Sequence, residues 1–596
     1  MNKLLLFTFS PVQSFISQSR KLSDLFSSSF ILSYLTERLV KEIESQKLGE
    51  VIYPVYDESL RDTDLAGYPN RLVVKTEKDL CDRLKELFER VWEELCEHAV
   101  FALGLSGRER LQFEKHTGGY FQSFCYCMDY IGREGWLERM GLNEVADAED
   151  YGYTYDLLER YLGALKSFRP YEGKVDEETF ENKYPDGCTL CGERPALALD
   201  WDELGKRKRF MLGKGEKLCG VCLTKRFAME YFEGQNRLKR KSFPSTKDLA
   251  WARLRCELMR DSNAGRYLEY IRAVEQAVCL IQGKMDCSIK DINADWLDPE
   301  DVLKMKKEAQ EQEEELYGEL LTALENLYDP HRGGYRKPDN SYFGILMADG
   351  DDMGVWLGLS QDKRGKKLSE EFHRNFSRRL SEYAREVYSL ARENSPFVEL
   401  VYAGGDDVLA VGYPTSLLSF AKCIRDMFSE VMGSEEATIS AGFVIGHENE
   451  NLRFLLEEVR NAEKEAKKAG KNRICISVVP RNSQPVRLVL QWNHLGLFER
   501  IVNYFREGLL SLGIPYAVRE ELWIFREEKA ETQQDLIKAL LRRVLRRKSR
   551  LKGEVDGLIE RIDGAGFLRS VESLESLLYV ARFLSKVEAI DEAVCP

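Results

Sequence analysis

The alternation of apolar runs with amphipathic stretches between residues 342 and 478 constrains the fold more than any other feature. YFGILMADG (342–350) stays apolar until it ends in aspartate and glycine, as a buried strand does on reaching the surface. A 3.6-residue period follows over 367–393, then strands at 397–403 and 408–411, and a second helical period over 416–432. ATISAGFVIG (437–446) reads as a strand, 451–469 as a helix, and a last strand starts at Arg473. This is a β-α-β-β-α-β order with one helix and one strand added, which specifies a ferredoxin-like or palm domain.

The tight turn in this pattern is VYAGGDDVLAVG (401–412). Gly404 and Gly405 supply the backbone freedom of a hairpin turn, which sets Asp406 and Asp407 at its tip. Adjacent strands lie about 4.8 Å apart, so Asp349, at the end of the first strand, comes beside them. Clustered carboxylates on a rigid frame repel one another unless a hard cation holds them, and oxygen ligands select Mg²⁺ or Mn²⁺. The chemistry that needs this arrangement is two-metal nucleotidyl transfer. Asp349, Asp406 and Asp407 are therefore the catalytic candidates, with Asp349 and Asp406 as metal ligands. Gly404, Gly405 and Asp351 are expected to line the substrate. AEKEAKKAGKNR (462–473) carries Lys464, Lys467, Lys468, Lys471 and Arg473 around Gly470, a helix C-cap. Lys468, Lys471 and Arg473 are assigned to the triphosphate, the alternative being a solvated helix end. No GxxxxGK[ST] phosphate loop occurs.

Cys188, Cys191, Cys219 and Cys222 form C-x2-C-x27-C-x2-C, two knuckles for a closed, structural zinc site. The remaining cysteines, among them Cys125, Cys127, Cys256 and Cys279, read as buried thiols of a reducing cytoplasm, and no long apolar run calls for a membrane. A net charge of −13 restricts any nucleic-acid contact to local patches. The basic runs are NRLKRKSFPSTK (236–247) and LLRRVLRRKSR (540–550), the second equally readable as an amphipathic surface helix; AQEQEEELYGEL (309–320) is a solvated acidic face.

The expected fold class is α+β: two palm domains, a zinc segment and two helical domains. The boundaries are an N-terminal palm at 1–180, the zinc segment at 181–245, a helical domain at 246–335, the GGDD palm at 336–482 and a helical tail at 483–596.

GGDD on a hairpin, LMADGDDMG, ISAG and AKKAGKNR resemble the polymerase-like large subunit of type III CRISPR effector complexes in its Cmr (III-B) form. Diguanylate cyclases share the palm but carry GG[DE]EF. FTFSPVQSFISQSRKLSDLFSSSFILSYL (7–35) and YPNRLVV (68–74) resemble landmarks of the family's first palm, with Ser10 in place of a glycine. The resemblance implies a target-RNA-activated synthase of cyclic oligoadenylate from ATP, assembled with other effector subunits and a guide CRISPR RNA. It implies that the first palm completes the second nucleotide's site, with Arg20 and Asp24 as the residues shaping it; an ordinary i,i+4 pair is the other reading of those two. Many relatives begin with an HD nuclease. Here the residues start in the first palm strand and none of the six histidines precedes an aspartate, so no HD activity is expected. Some nuclease-less relatives attach AMP to S-adenosylmethionine, which makes that molecule a candidate co-substrate. A catalytically silent assembly scaffold is the non-enzymatic alternative.

Overall fold

The computed structural model describes residues 3–55, 63–167, 186–208, 211–213, 215–239, 242–262, 268–284, 287–309, 313–332, 334–338, 341–359, 367–481, 483–522 and 534–587. The expected boundaries at 180 and 482, residues 240–241 and 310–312 of the runs read above, and residues 523–533 and 588–596 of the expected helical tail lie outside them.

The first sheet is built from β1 (Lys3–Ser10), α1 (Leu22–Ser45), β2 (Glu50–Tyr53), β3 (Arg71–Thr76), α2 (Cys81–Leu103) and β4 (Gln122–Asp129). Its antiparallel strand order, β2-β3-β1-β4, is that of a ferredoxin-like fold. The run LLLFTF is apolar throughout because both faces of β1 are covered. Leu5, Phe7 and Phe9 pack with Phe26 and Phe30 of α1 and Phe88 of α2. Leu4 and Leu6 pack with Tyr151, Tyr155 and Leu158 of α3 (Asp150–Ser167).

The four-cysteine segment leads into α4 (Gly220–Gly234), and a set of helices between Thr246 and Tyr328 connects it to the second sheet. That sheet follows β5 (Tyr342–Gly350), α5 (Glu370–Glu393), β6 (Val398–Gly404), β7 (Asp407–Gly412), α6 (Pro414–Met432), β8 (Ile439–His447), α7 (Leu452–Lys468), β9 (Arg473–Val478) and β10 (Val486–Gln491). The order β10-β9-β8-β5-β7-β6 contains the same four-strand core, extended by β9 parallel to β8 and by β10 at the edge. Leu346 and Ala348 face α5 and α6, whereas Phe343 and Ile345 face α7.

Two expectations need correction. The tail is not helical throughout: VRLVLQ adds β10, because its apolar residues at 488 and 490 alternate and complete the sheet edge. Nor are all the remaining cysteines thiols. Cys125 on β4 is bonded to Cys81 at the start of α2, where the helix lies across the sheet with the two Cα atoms 5.4 Å apart, and Cys256 is also disulfide-bonded.

Candidate functional site: an acidic cluster between two palms

Strand register assembles the site. Ala348 of β5 pairs with Val408 of β7, and Gly404 pairs with Asp407 across the hairpin, so Asp349, one step beyond Ala348, comes level with the tip. Carboxylate oxygens of Asp349, Asp406 and Asp407 all lie within 4.8 Å of one another. Glycine makes this approach achievable. A Cβ on Gly350 would stand 2.8 Å from the Asp406 Cβ, and one on Gly404 would stand 3.0 Å from the Gly67 carbonyl of the first palm. Gly405 takes φ 67° and lies against the Tyr53 hydroxyl. The two hairpin glycines thus serve turn geometry and the contact between palms, which Ala403 extends by donating its N–H to the Ala66 carbonyl at 3.3 Å.

Desolvation pushes Asp406 up to about 6, against the opposing pull of hydrogen bonds from its own and the Gly350 N–H. Asp407 is raised well above the usual carboxylate range by the enclosing tip, then by Asp406 and Glu463. Its surface is exposed, so the repulsion is the part that persists in solvent. Three partly accessible, mutually repelling carboxylates are a hard-oxygen donor set that fits a divalent cation.

The segment after α7 clamps this acidic edge. Lys467 pairs with Asp349 and, at 2.9 Å, with Glu463; Lys471 pairs with Asp352. Asp351 is buried: its oxygens accept from Ser440 (2.7 Å), Thr438 (2.7 Å) and the Asn472 N–H (2.9 Å). This corrects the expectation for Asp351, which positions the loop and presents no free oxygen to a substrate. Arg473, at the start of β9, lies 3.1–3.2 Å from the Gln491 amide. Lys468 is exposed on the last turn of α7 and joins none of these pairs. Lys467, not Lys468, is the lysine at the cluster, a distinction available only from helix phase: it sits four residues after Glu463, on the side that faces β5.

Asp24 also departs from expectation. It is buried and accepts from Arg226 at 2.7 and 3.1 Å, Arg226 in turn holding Glu216 at 2.8 Å. Asp24 accepts from the Lys21 backbone N–H as well, at the start of α1, while Arg20 is exposed. Asp24 thus ties the first palm to α4 instead of shaping the acceptor side. The cleft beside Asp406, about 310 Å³, is lined instead by Tyr53, Arg71, Tyr155 and Glu159 of the first palm and by Met353 and His373 of the second. Arg71 and Met353 fall within the YPNRLVV and LMADGDDMG stretches, whereas Tyr53, Tyr155, Glu159 and His373 lie in no recognisable motif; topology gathers all six.

The sulfurs of Cys188, Cys191, Cys219 and Cys222 lie within 4.8 Å of one another and are buried. Cys219 caps α4 and Cys222 is in its first turn. Four thiols with no open side fit a structural tetrahedral metal. Three residues past Cys222, the fully buried Lys225 donates to the Phe15 and Gln18 carbonyls at 2.5 and 3.1 Å, fixing the SPVQSF loop after β1.

Two family models match the chain: CRISPR-associated protein Cmr2, N-terminal, over residues 4–97, and Cas10/Cmr2, second palm domain, over 342–475. The CRISPR system Cmr subunit Cmr2 of Pyrococcus furiosus is 25% identical over 572 residues, spanning 82% of this chain and 62% of the relative. The chain therefore covers about three fifths of that relative's length. Among solved structures, a type III-B Cmr-beta complex matches in its apo state with a TM-score of 0.63 (15% identity, 92% of this chain and 77% of the other). The same type of complex bound to cognate target RNA matches at 0.66 (15%, 98% and 83%). At that identity these two matches speak for the fold. The sequence matches fall on the first three strands of the first sheet and on the second sheet, in the order in which they occur, and the second ends within β9, just past the lysines that clamp the acidic edge; over these residues the chain is similar to the Cas10/Cmr2 family of CRISPR-associated proteins.

Proposed function

We propose that this chain is the large subunit of a type III-B RNA-guided antiviral effector, and that its paired palms form a target-RNA-activated nucleotidyltransferase making cyclic oligoadenylate from ATP. The carrying observation is the convergence of Asp349, Asp406 and Asp407 within 4.8 Å at a hairpin tip. The family and the Cmr-beta likeness support the assignment of guide RNA, target RNA and other effector subunits as partners.

In this reading Asp349, Asp406 and Asp407 hold Mg²⁺ or Mn²⁺, which when bound lowers the pKa of the attacking hydroxyl and neutralises the leaving pyrophosphate. A 3′-hydroxyl on the first-palm side passes its proton to solvent water as its oxygen bonds to the α-phosphorus of ATP. The bond from that phosphorus to its bridging oxygen breaks, and pyrophosphate leaves with the electron pair. Lys467 and Lys471, each engaged with an aspartate in the free protein, supply positive charge to the phosphates. Gly350 and the buried Asp351 keep the acidic edge in register. Zn²⁺ on the four cysteines is structural and supports the first palm through Lys225 and Arg226.

A second reading, transfer of AMP to S-adenosylmethionine, is favoured by the charge of the cleft. Its cation, Arg71, is bound to Glu159 at 2.6 Å and Asp156 is nearby, leaving little to neutralise a second triphosphate. Supplying labelled ATP, with and without S-adenosylmethionine, to the complex with target RNA and weighing the products separates the readings. 3′,5′-linked oligoadenylates formed irrespective of S-adenosylmethionine support the first. Turnover that appears only with S-adenosylmethionine supports the second, and no product under either condition leaves the scaffold.

A further inference from the structure

α7 carries three cations seven residues apart, Arg453, Arg460 and Lys467. A spacing of seven is just under two helical turns, so the three stand along one face, about 10 Å from one to the next. Each reaches a different element. Arg453 Nη1 donates to the Cys191 carbonyl of the four-cysteine segment at 3.5 Å, Arg460 Nη2 donates to the Gln13 carbonyl of the SPVQSF loop at 3.3 Å, and Lys467 pairs with Asp349. The first two anchors are themselves held, Cys191 within the cysteine cluster and the loop by Lys225 through the Phe15 and Gln18 carbonyls. Arg460 is partly buried, forms no ion pair among the described residues, and leaves its Nε buried without a partner. Burial accordingly pulls its pKa down. A cation held this way is costly, and the one hydrogen bond it makes among the described residues joins α7 to the first palm.

The chain beyond α7 depends on where the helix ends. Gly470, Lys471 and Asn472 take φ of 120°, 59° and 47° in succession, and left-handed backbone is unfavourable at the two that are not glycine. Such a turn persists only where its surroundings impose it. Here the Asn472 N–H donates to Asp351 at 2.9 Å and Lys471 pairs with Asp352, so the turn runs from the end of α7 to the acidic edge beyond β5. An axial shift of α7 would draw Lys467 off Asp349 and release the turn at the same time. We infer that Arg460, seconded by Arg453, is a positioning residue for the acidic edge: by tying α7 to the first palm it sets the axial position of the helix, and with it where Lys467 and Lys471 stand. Neither arginine touches the carboxylate cluster, since they lie about 10 and 20 Å along the helix from Lys467. The consequence for ATP rests on the nucleotidyltransferase reading; the mechanical coupling does not.

Two readouts on the full chain test this. The first needs no nucleotide and follows amide hydrogen exchange of residues 470–473. Arg460→Met keeps the packing stem and removes the donors. Loss of one solvent-facing hydrogen bond corresponds to about threefold in an equilibrium constant. Exchange at 470–473 should therefore quicken about threefold, and about fivefold with Arg453→Met added, while β8 (Ile439–His447) stays as protected as in the wild type. The second readout is a double-variant cycle on equilibrium binding of ATP with Mg²⁺. Arg460→Met should weaken ATP about threefold by itself and change nothing where Lys467 and Lys471 are both replaced by Met, because a residue acting through those lysines has nothing left to act on. A variant that only loosened the fold would weaken ATP equally in both backgrounds and expose β8 as well. Unaltered exchange at 470–473 in Arg460→Met, equal quickening in β8, or an additive cycle would overturn the inference. If the assembled complex with target RNA consumes ATP and the exchange does not respond, the positioning role falls alone. If the exchange responds as stated and ATP is neither bound by the chain nor consumed by the complex, the positioning role stands and the enzymatic reading falls.

Discussion

Gly350→Ala is the perturbation whose consequence follows most directly from the geometry. The added methyl would lie 2.8 Å from the Asp406 Cβ and 3.0 Å from both the Asp406 carboxylate and the Met353 terminal methyl. Carbon–carbon contacts settle at about 3.5–4.0 Å, so the hairpin tip has to retreat by about 1 Å. Rotating the Asp406 carboxylate gives no escape, because the nearest atom is its Cβ, fixed to the backbone. Gly350 does not require a left-handed backbone, so the effect is steric. Overpacking of this kind costs about 1–3 kcal/mol, and a displacement of about 1 Å at the reacting groups costs about a hundredfold in rate. ATP consumption by the complex with target RNA should therefore fall by about two orders of magnitude while target RNA still binds. Gly163→Ala is the control: it lies in the middle of α3 with nothing within 4 Å of the added methyl, and should leave turnover unchanged. Full ATP turnover in Gly350→Ala would show that the spacing of Asp349 and Asp406 does not carry the chemistry.

Cys222→Ser should release about one zinc per chain and destabilise the first palm by several kcal/mol, since metal binding is coupled to folding; an equally heat-stable, zinc-free protein would refute this. Lys467→Met keeps the packing stem and removes the charge beside Asp349, so the KM for ATP should rise about tenfold, and an unchanged KM would remove Lys467 from the phosphate site. Glu448, at the end of β8, is pushed up to about 7 by desolvation and has a buried, unpartnered oxygen. A carboxyl raised on folding gives stability that is intact below 4.5, its ordinary value, and lost as pH rises through about 7. Glu448→Gln should therefore raise stability at pH 8 by about 1–2 kcal/mol, after allowing for its partial exposure, and by almost nothing at pH 4.5, as read by urea unfolding at the two pH values.

The second sheet was legible because its signals are local. Apolar runs, glycine at the turn and helical periods each occupy a few residues, and strand pairing then brings Asp349 to Asp406 and Asp407 without further information. The cysteine spacing was legible for the same reason. β10 was not, since three alternating apolar residues between β9 and the following helices are a weak strand signal until a sheet edge is present to receive them. Asp24 illustrates a different limit. Its spacing from Arg20 fits a helical pair, but its partner is Arg226, about two hundred residues away, and no period encodes a contact of that separation. The same holds for Cys81 and Cys125, for Lys467 against Lys468, and for the cleft, where Tyr53, Arg71, Glu159 and His373 come from four separate elements. The basic helix Gln534–Lys548 falls between: its amphipathic character was plain, and Arg542 and Arg546 spend their charge on Asp556 at 2.6 and 3.1 Å.

The central claim is that the Asp349, Asp406 and Asp407 cluster transfers adenylyl groups in response to target RNA. The most direct measurement gives α-labelled ATP and Mg²⁺ or Mn²⁺ to the effector complex, with and without target RNA, in the wild-type form and with Asp406 and Asp407 both replaced by Ala, and identifies pyrophosphate and nucleotide products by mass. The account predicts pyrophosphate release and 3′,5′-linked cyclic oligoadenylate only with target RNA and the intact cluster, with target RNA binding retained in the double variant. ATP left untouched by the wild-type complex, or the same products from the double variant, would contradict it.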